Sequence, residues 1–153
     1  MSLLGNQAPD FTLMNNEKAH VTLSELRGQK VVLAFYPAAF TGVCGKEMCT
    51  FRDSLASFND VGAKVLGISV DAPFSTNAFS QANDLNFPLL SDHDRSTVHA
   101  YGVALDNFGG MNGYVAAQRS VFVIDENGTV SYEWIAPNPG VEPDYEAVKA
   151  AAS

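Results

Sequence analysis

The chain has 153 residues, 46% of them hydrophobic, with 17 acidic and 9 basic side chains giving a formal charge of −8, and it holds two cysteines. That length and apolar fraction suit one domain, residues 1–153, with a core that needs no disulfide staples. The acidity excludes binding to nucleic acid or an anionic membrane through a general positive field, and no segment approaches the ~18 apolar residues of a membrane span.

In chain order, Phe11 to Leu13 and Val21 to Leu23 read as an N-terminal hairpin, and Ser24 is expected to cap a helical turn ended by Gly28. Val31 to Tyr36 is a continuous apolar run, the pattern of a strand buried on both faces. A helix is predicted from about Gly42 to Val61, a strand from Val65 to Val70 and a helix from about Phe74 to Asn83. Ser96 to Tyr101 forms a short helix closed by Gly102, and Val121 to Ile124 pairs with Thr129 to Trp134 around Asp125-Glu126-Asn127-Gly128. A last helix covers Tyr145 to Ala152. The fold class is α/β, a central mixed sheet with helices on both faces and an N-terminal β-hairpin. Residues 104–117 are the least regular stretch, where Gly109, Gly110 and Gly113 alternate with apolar Phe108, Met111 and Tyr114. They are read as a cap over a site, a dimer contact or an anchored surface loop.

The chemistry concentrates where the first buried strand ends, in Pro37-Ala38-Ala39-Phe40-Thr41-Gly42-Val43-Cys44. This spacing puts a thiol in the first turn of the helix, where free backbone N–H groups and the positive end of the macrodipole favour a thiolate. Pro37 has no N–H and a fixed φ, so it ends the strand and shields the sulfur without adding a donor. Thr41 falls near the N-cap, its hydroxyl within reach of helix N–H groups or of a ligand beside the sulfur. Counted around the helix from Cys44, Met48, Phe51, Leu55 and Phe58 fall within about 40°, an apolar stripe, whereas Cys49 falls about 140° away. Cys49 is therefore not a core residue of this helix.

The P-x-x-x-T-x-x-C pattern after an apolar strand resembles the active-site signature of the peroxiredoxins. Gly5 to Leu13 is similar to that family's G-x-x-A-P-D-F entry, Leu23 to Gly28 to its L-x-x-L-x-G turn, and Phe87 to Asp92 to its F-P-L-L-S-D segment. Arg119 to Asp125 resembles the strand that carries the family's catalytic arginine. The resemblance implies a thioredoxin-like fold and a thiol peroxidase without metal or organic cofactor. By position it makes Cys44 the peroxidatic cysteine, Pro37 its shield, Thr41 a hydrogen-bonding partner of the peroxide, and Arg119 the guanidinium steadying thiolate and leaving group. Glu47 matches a glutamate found there in many members, and caps the first turn, orients an arginine or is simply exposed.

The C-x4-C spacing resembles the PrxQ-type (bacterioferritin comigratory protein) subgroup, in which the later cysteine, here Cys49, resolves the sulfenic acid. FYPAAFTGVC resembles AhpE-type members equally, and there an external thiol does that work. The expected substrates are hydrogen peroxide and small organic hydroperoxides, and the expected reductant is a thioredoxin-like protein or a small thiol. A homodimer is allowed, with neither nucleic acid nor membrane as partner. A non-enzymatic redox sensor and an inactive binding module are the rival classes. A disulfide reductase of the same architecture would carry C-x-x-C at the helix start, which is absent here. The dispersed His20, His93 and His99 lack zinc-site spacing, and no G-x-G-x-x-G marks a dinucleotide site. The opening MSLLGNQAPD has no basic region or apolar run, and with two thiols in chemical use a cytoplasmic location is expected.

Overall fold

The computed structural model describes residues 2–153. Its strands are β1 (Thr12–Asn15), β2 (His20–Thr22), β3 (Lys30–Phe35), β4 (Ala63–Ser69), β5 (Leu89–Ser91), β6 (Ala104–Leu105), β7 (Ala116–Ala117), β8 (Ser120–Ile124) and β9 (Val130–Ile135). The helices are α1 (Gly42–Asp60), α2 (Pro73–Ala82), α3 (Ser96–Ala100) and α4 (Tyr145–Ala151). Seven strands form one sheet in the order β2-β1-β5-β4-β3-β8-β9, while β6 and β7 make a separate two-stranded ladder. The pairs β3·β4 and β4·β5 are parallel, and the others in the large sheet are antiparallel. The sheet is therefore mixed.

Because successive strand residues point to opposite faces, the central strands feed two cores. Leu33, Phe35, Leu66, Ile68, Phe122 and Ile124 join Val98 and Tyr101 on one face. Val32, Ala34, Tyr36, Val65, Val121 and Val123 join Cys44, Met48, Phe51 and Phe58 of α1, Phe79 of α2 and Val148 of α4 on the other. The apolar run Val31–Tyr36 is buried throughout because helices or loops cover it from both sides.

The helices and the β8–β9 hairpin lie within two residues of the sequence expectation. Asp125 organises the hairpin turn by accepting from the N–H groups of Asn127 and Thr129 at 2.9 Å each, and Gly128 adopts φ +87°. Three details differ. Ser24 is not a cap: it lies inside a 3₁₀ turn, Leu23–Leu26, and its own N–H donates to Asp10 Oδ1 at 2.9 Å. β5 was not foreseen, since three residues are too few to show alternation. The 104–117 segment carries β6, β7 and a short 3₁₀ turn, and it anchors Phe108, Tyr114 and Val115 on the face opposite Cys44, so it is not a cap over that sulfur.

Gly67 sits in mid β4, where a Cβ would lie 2.7 Å from Leu89 Cδ2 and 3.4 Å from Met48 Sδ. The glycine lets β5 and α1 close on the strand. Gly67→Ala is expected to destabilise the protein by about 1–3 kcal/mol through overpacking, measured by urea unfolding under reducing conditions.

Candidate active site

The site lies where the topology ends its parallel strands. β3 and β8 run antiparallel with Phe35 opposite Ser120, so the residue before β8, Arg119, stands beside the chain leaving β3. That chain passes through the buried Pro37 and turns into α1 at Thr41, which brings Cys44 back over the end of the sheet. Residues far apart in sequence thus share one small volume.

Arg119 is 1% exposed and Cys44 and Glu47 are 0% exposed. The guanidinium donates through Nη2 to Cys44 Sγ at 3.1 Å, through Nη1 to Glu47 Oε1 at 2.7 Å and through Nε to the Pro139 carbonyl at 3.1 Å. The Ala136 N–H donates to the Arg119 carbonyl at 2.9 Å, which fixes its backbone. Of the five guanidinium hydrogens, three are therefore committed and two remain. Burial works against the charge of Arg119, but Glu47 and Cys44 together more than offset it, and its proton is held more tightly than usual.

Glu47 is buried, neither an exposed helix residue nor a side-chain cap, and its carboxyl is hydrogen-bonded to the arginine. Its carboxyl is pushed up to about 8 by burial, against the pull of Arg119. The second oxygen, Oε2, is buried with no hydrogen-bond partner, a position that a neutral carboxyl tolerates better than an ion.

Thr41 occupies the N-cap position in extended backbone (φ −83°, ψ 149°), but its hydroxyl caps no N–H of the helix. It donates instead to the Ala38 carbonyl at 3.1 Å. Beside it, Phe40 has φ +65° and is 61% exposed, with its ring edge-on to Phe79 at 5.3 Å. Cys49 points away from the guanidinium: it is partly exposed and donates to Asn83 Oδ1 at 3.6 Å. An open hollow of about 420 Å³ is lined by Phe40, Thr41, Gly45, Lys46, Cys49 and Asn83. Both cysteines are free. Among the described residues no three His, Cys, Asp or Glu side chains are grouped to hold a metal ion.

A family model described as AhpC/TSA matches residues 4–133. The chain belongs to the AhpC/TSA family. It is similar to the peroxiredoxin Bcp of Coxiella burnetii, with 40% identity over 131 residues, 86% of this chain and 87% of that protein. It is also similar to the Bcp protein of Haemophilus influenzae, with 43% identity over 128 residues, 83% of this chain and 82% of that protein. Among solved structures, peroxidoxin BcpB of Mycobacterium tuberculosis superposes with a TM-score of 0.85 at 32% identity, covering 99% of this chain and 96% of that one. Peroxiredoxin Q of Xanthomonas campestris gives 0.81 at 30% identity, over 93% and 89%. As a peroxiredoxin, the chain is a thiol peroxidase with a thioredoxin fold.

The raised Glu47 carboxyl has a consequence for stability. Ordinary glutamate titrates near 4.5 and Glu47 in the fold near 8, so between these values the folded chain keeps a proton that the unfolded chain has lost. Stability from this group falls as pH rises through that window. Relative to Glu47→Gln, which has no such proton, the unfolding free energy of the wild type is expected to drop by about 4 kcal/mol between pH 5 and pH 8.5. Urea titrations of both proteins check this, and a constant difference would contradict it.

Proposed function

We propose that Cys44 is the peroxidatic sulfur of a cycle that reduces hydrogen peroxide and small organic hydroperoxides. The observation that carries this reading is the buried Nη2–H to Sγ contact at 3.1 Å from an arginine that Glu47 and Pro139 also hold. A sulfur anion attacks the hydroxyl-bearing oxygen of R–O–O–H. The S–O bond forms as the O–O bond breaks, and the leaving alkoxide takes up a proton, giving Cys44–S–OH and an alcohol, or water from hydrogen peroxide. Sulfur is oxidised and the peroxide is reduced. Negative charge moves from sulfur to the leaving oxygen, so a cation already seated at the sulfur, with hydrogens to spare, stabilises both ends of that path.

Each neighbour has a part in this proposal. Arg119 binds the sulfur and, through its two uncommitted hydrogens, the peroxide oxygens, a planar fork that lysine would not reproduce. Glu47 sets the angle of that fork. Pro37 walls the site without adding a donor that would compete for the sulfur. Thr41 holds the peroxide by hydrogen bonding.

Cys49 is proposed to resolve the sulfenic acid: its thiol displaces hydroxide from Cys44 sulfur, forming the disulfide and releasing water. Residues five apart on an α-helix have Cα atoms roughly 8.6 Å apart, beyond the about 4.4–6.8 Å that a disulfide spans. The continuous α1 and the opposite aspects of the two thiols mean that the first turns of this helix must unwind in each cycle. A thioredoxin-like protein or a small thiol then restores both cysteines by disulfide exchange. Two free thiols in chemical use fit the reducing cytoplasm.

Intact mass after one equivalent of peroxide tests the cycle. The wild type is expected to lose two hydrogens, Cys49→Ser to gain one oxygen, and Cys44→Ser to stay unchanged over the same interval. Oxygen gain by the wild type with unimpaired turnover of Cys49→Ser would assign resolution to an external thiol. Rapid oxidation of Cys44→Ser would remove Cys44 from the mechanism.

A further inference from the structure

The parallel pairing of β3 with β4 sets the loop after β3 against the loop after β4, and the Tyr36 N–H donates to the Ile68 carbonyl at 3.0 Å. Just beyond that bond, the Asp71 carboxylate reaches across. Its Oδ2 accepts from the Ala39 N–H at 2.9 Å and from Ser69 Oγ at 2.8 Å. Asp71 is itself fixed at both ends of its backbone, since Ser91 Oγ donates to its carbonyl at 2.6 Å and its N–H donates to Ser69 Oγ at 3.3 Å.

The Ala39 N–H and the Ala38 carbonyl belong to one peptide plane. Asp71 holds one edge of that plane, and the Thr41 hydroxyl donates to the other at 3.1 Å. A hydroxyl has one proton. With that proton spent on Ala38, the Thr41 oxygen offers only lone pairs to anything that approaches it. A hydroperoxide carries an O–H on the oxygen under attack, so it meets an acceptor at Thr41 and donors at Arg119. Were the plane to flip, an N–H would face Thr41, and the hydroxyl would turn its proton outward.

The loop has a reason to move unless it is held. Phe40 lies at φ +65°, a region that bulky L side chains adopt only when their surroundings impose it. Its ring on Phe79 is one restraint and the Asp71 bond is the other. A carboxylate accepting from an amide also polarises that amide and strengthens its carbonyl as an acceptor.

We propose that Asp71 is a positioning residue for peroxide reduction: through the 38–39 peptide it fixes the direction of the Thr41 proton, so that Thr41 receives the substrate as an acceptor. This rests on the roles assigned above to Cys44 and Thr41. It predicts coupling between two side chains that do not touch.

The test uses the reduced full-length chain, with oxidation by hydrogen peroxide followed by rapid quench and intact mass, and alkylation of Cys44 by iodoacetamide measured in parallel. Asp71→Ala is expected to slow oxidation about tenfold, the factor for one lost charge-assisted hydrogen bond, with alkylation within about twofold of wild type. In a Thr41→Val background, Asp71→Ala is expected to add less than about a further twofold, because the two act in series. Asp71→Asn, whose amide oxygen accepts the same two bonds, is expected to recover oxidation to within about threefold of wild type. An equal loss in both backgrounds, a parallel fall in alkylation, or Asp71→Asn as slow as Asp71→Ala would overturn the proposal while leaving the catalytic reading intact. A wild-type chain that peroxide does not oxidise at Cys44 would defeat the catalytic reading and this proposal with it.

Discussion

One guanidinium shared between a sulfur and a carboxyl, all three essentially out of water, is the constraint around which this molecule is arranged. An isolated buried charge is very costly, and a single cation in such a pocket balances one anion, not two. Arg119 faces two acids, and Glu47 is the one that burial drives towards its neutral form. In the proposed cycle that frees the cation for the sulfur and for the charge that appears during reaction. Replacing a whole buried pair by apolar residues often leaves a fold as stable or more so, whereas removing one partner alone is costly. The pair is therefore weak evidence of a stabilising role, which fits the part proposed for it in the chemistry.

The fold delivers this arrangement through its topology. Reactive groups collect at the carboxyl ends of β3 and β4, where parallel strands open towards helix starts and where ligand sites in open α/β sheets occur. Antiparallel β8 brings Arg119 to the same edge from the other side, and the 136–139 segment after β9 braces its backbone and Nε. The paired strands hold these ends in place, and the proposed cycle asks the first turns of α1 to unwind from a position where Cys44, Glu47 and Met48 are fully buried. Cys49 faces away from the guanidinium and lines an open hollow.

Much of this was legible in the residues. Helix periodicity alone set Cys49 off the apolar stripe, and the structure puts Met48, Phe51 and Phe58 in the core and Cys49 at its margin. The spacing of Pro37, Thr41 and Cys44 could be read locally because all three belong to one strand-to-helix connection. Arg119 could be placed only through resemblance, since it meets Cys44 across 75 positions by strand order, which no local pattern encodes. The depth of Glu47 was hidden for the same reason: a glutamate one turn along a helix looks solvated until the strand carrying its arginine is in place. β5 was too short to show a period, and Asp71 gave no signal because its bond to Ala39 depends on the neighbouring of two loops. Thr41 sits at the position its sequence predicts, but it spends its proton on Ala38 instead of serving the helix start.

The most direct measurement is the second-order rate constant for hydrogen peroxide with the reduced Cys49→Ser chain, compared with and without Arg119→Met. Methionine fills the buried volume without a charge, and circular dichroism verifies that the fold is kept. If the guanidinium stabilises the attacking sulfur and the leaving oxygen together, the rate constant falls by at least about a hundredfold. A folded Arg119→Met chain that reacts within about threefold of its parent would contradict the account.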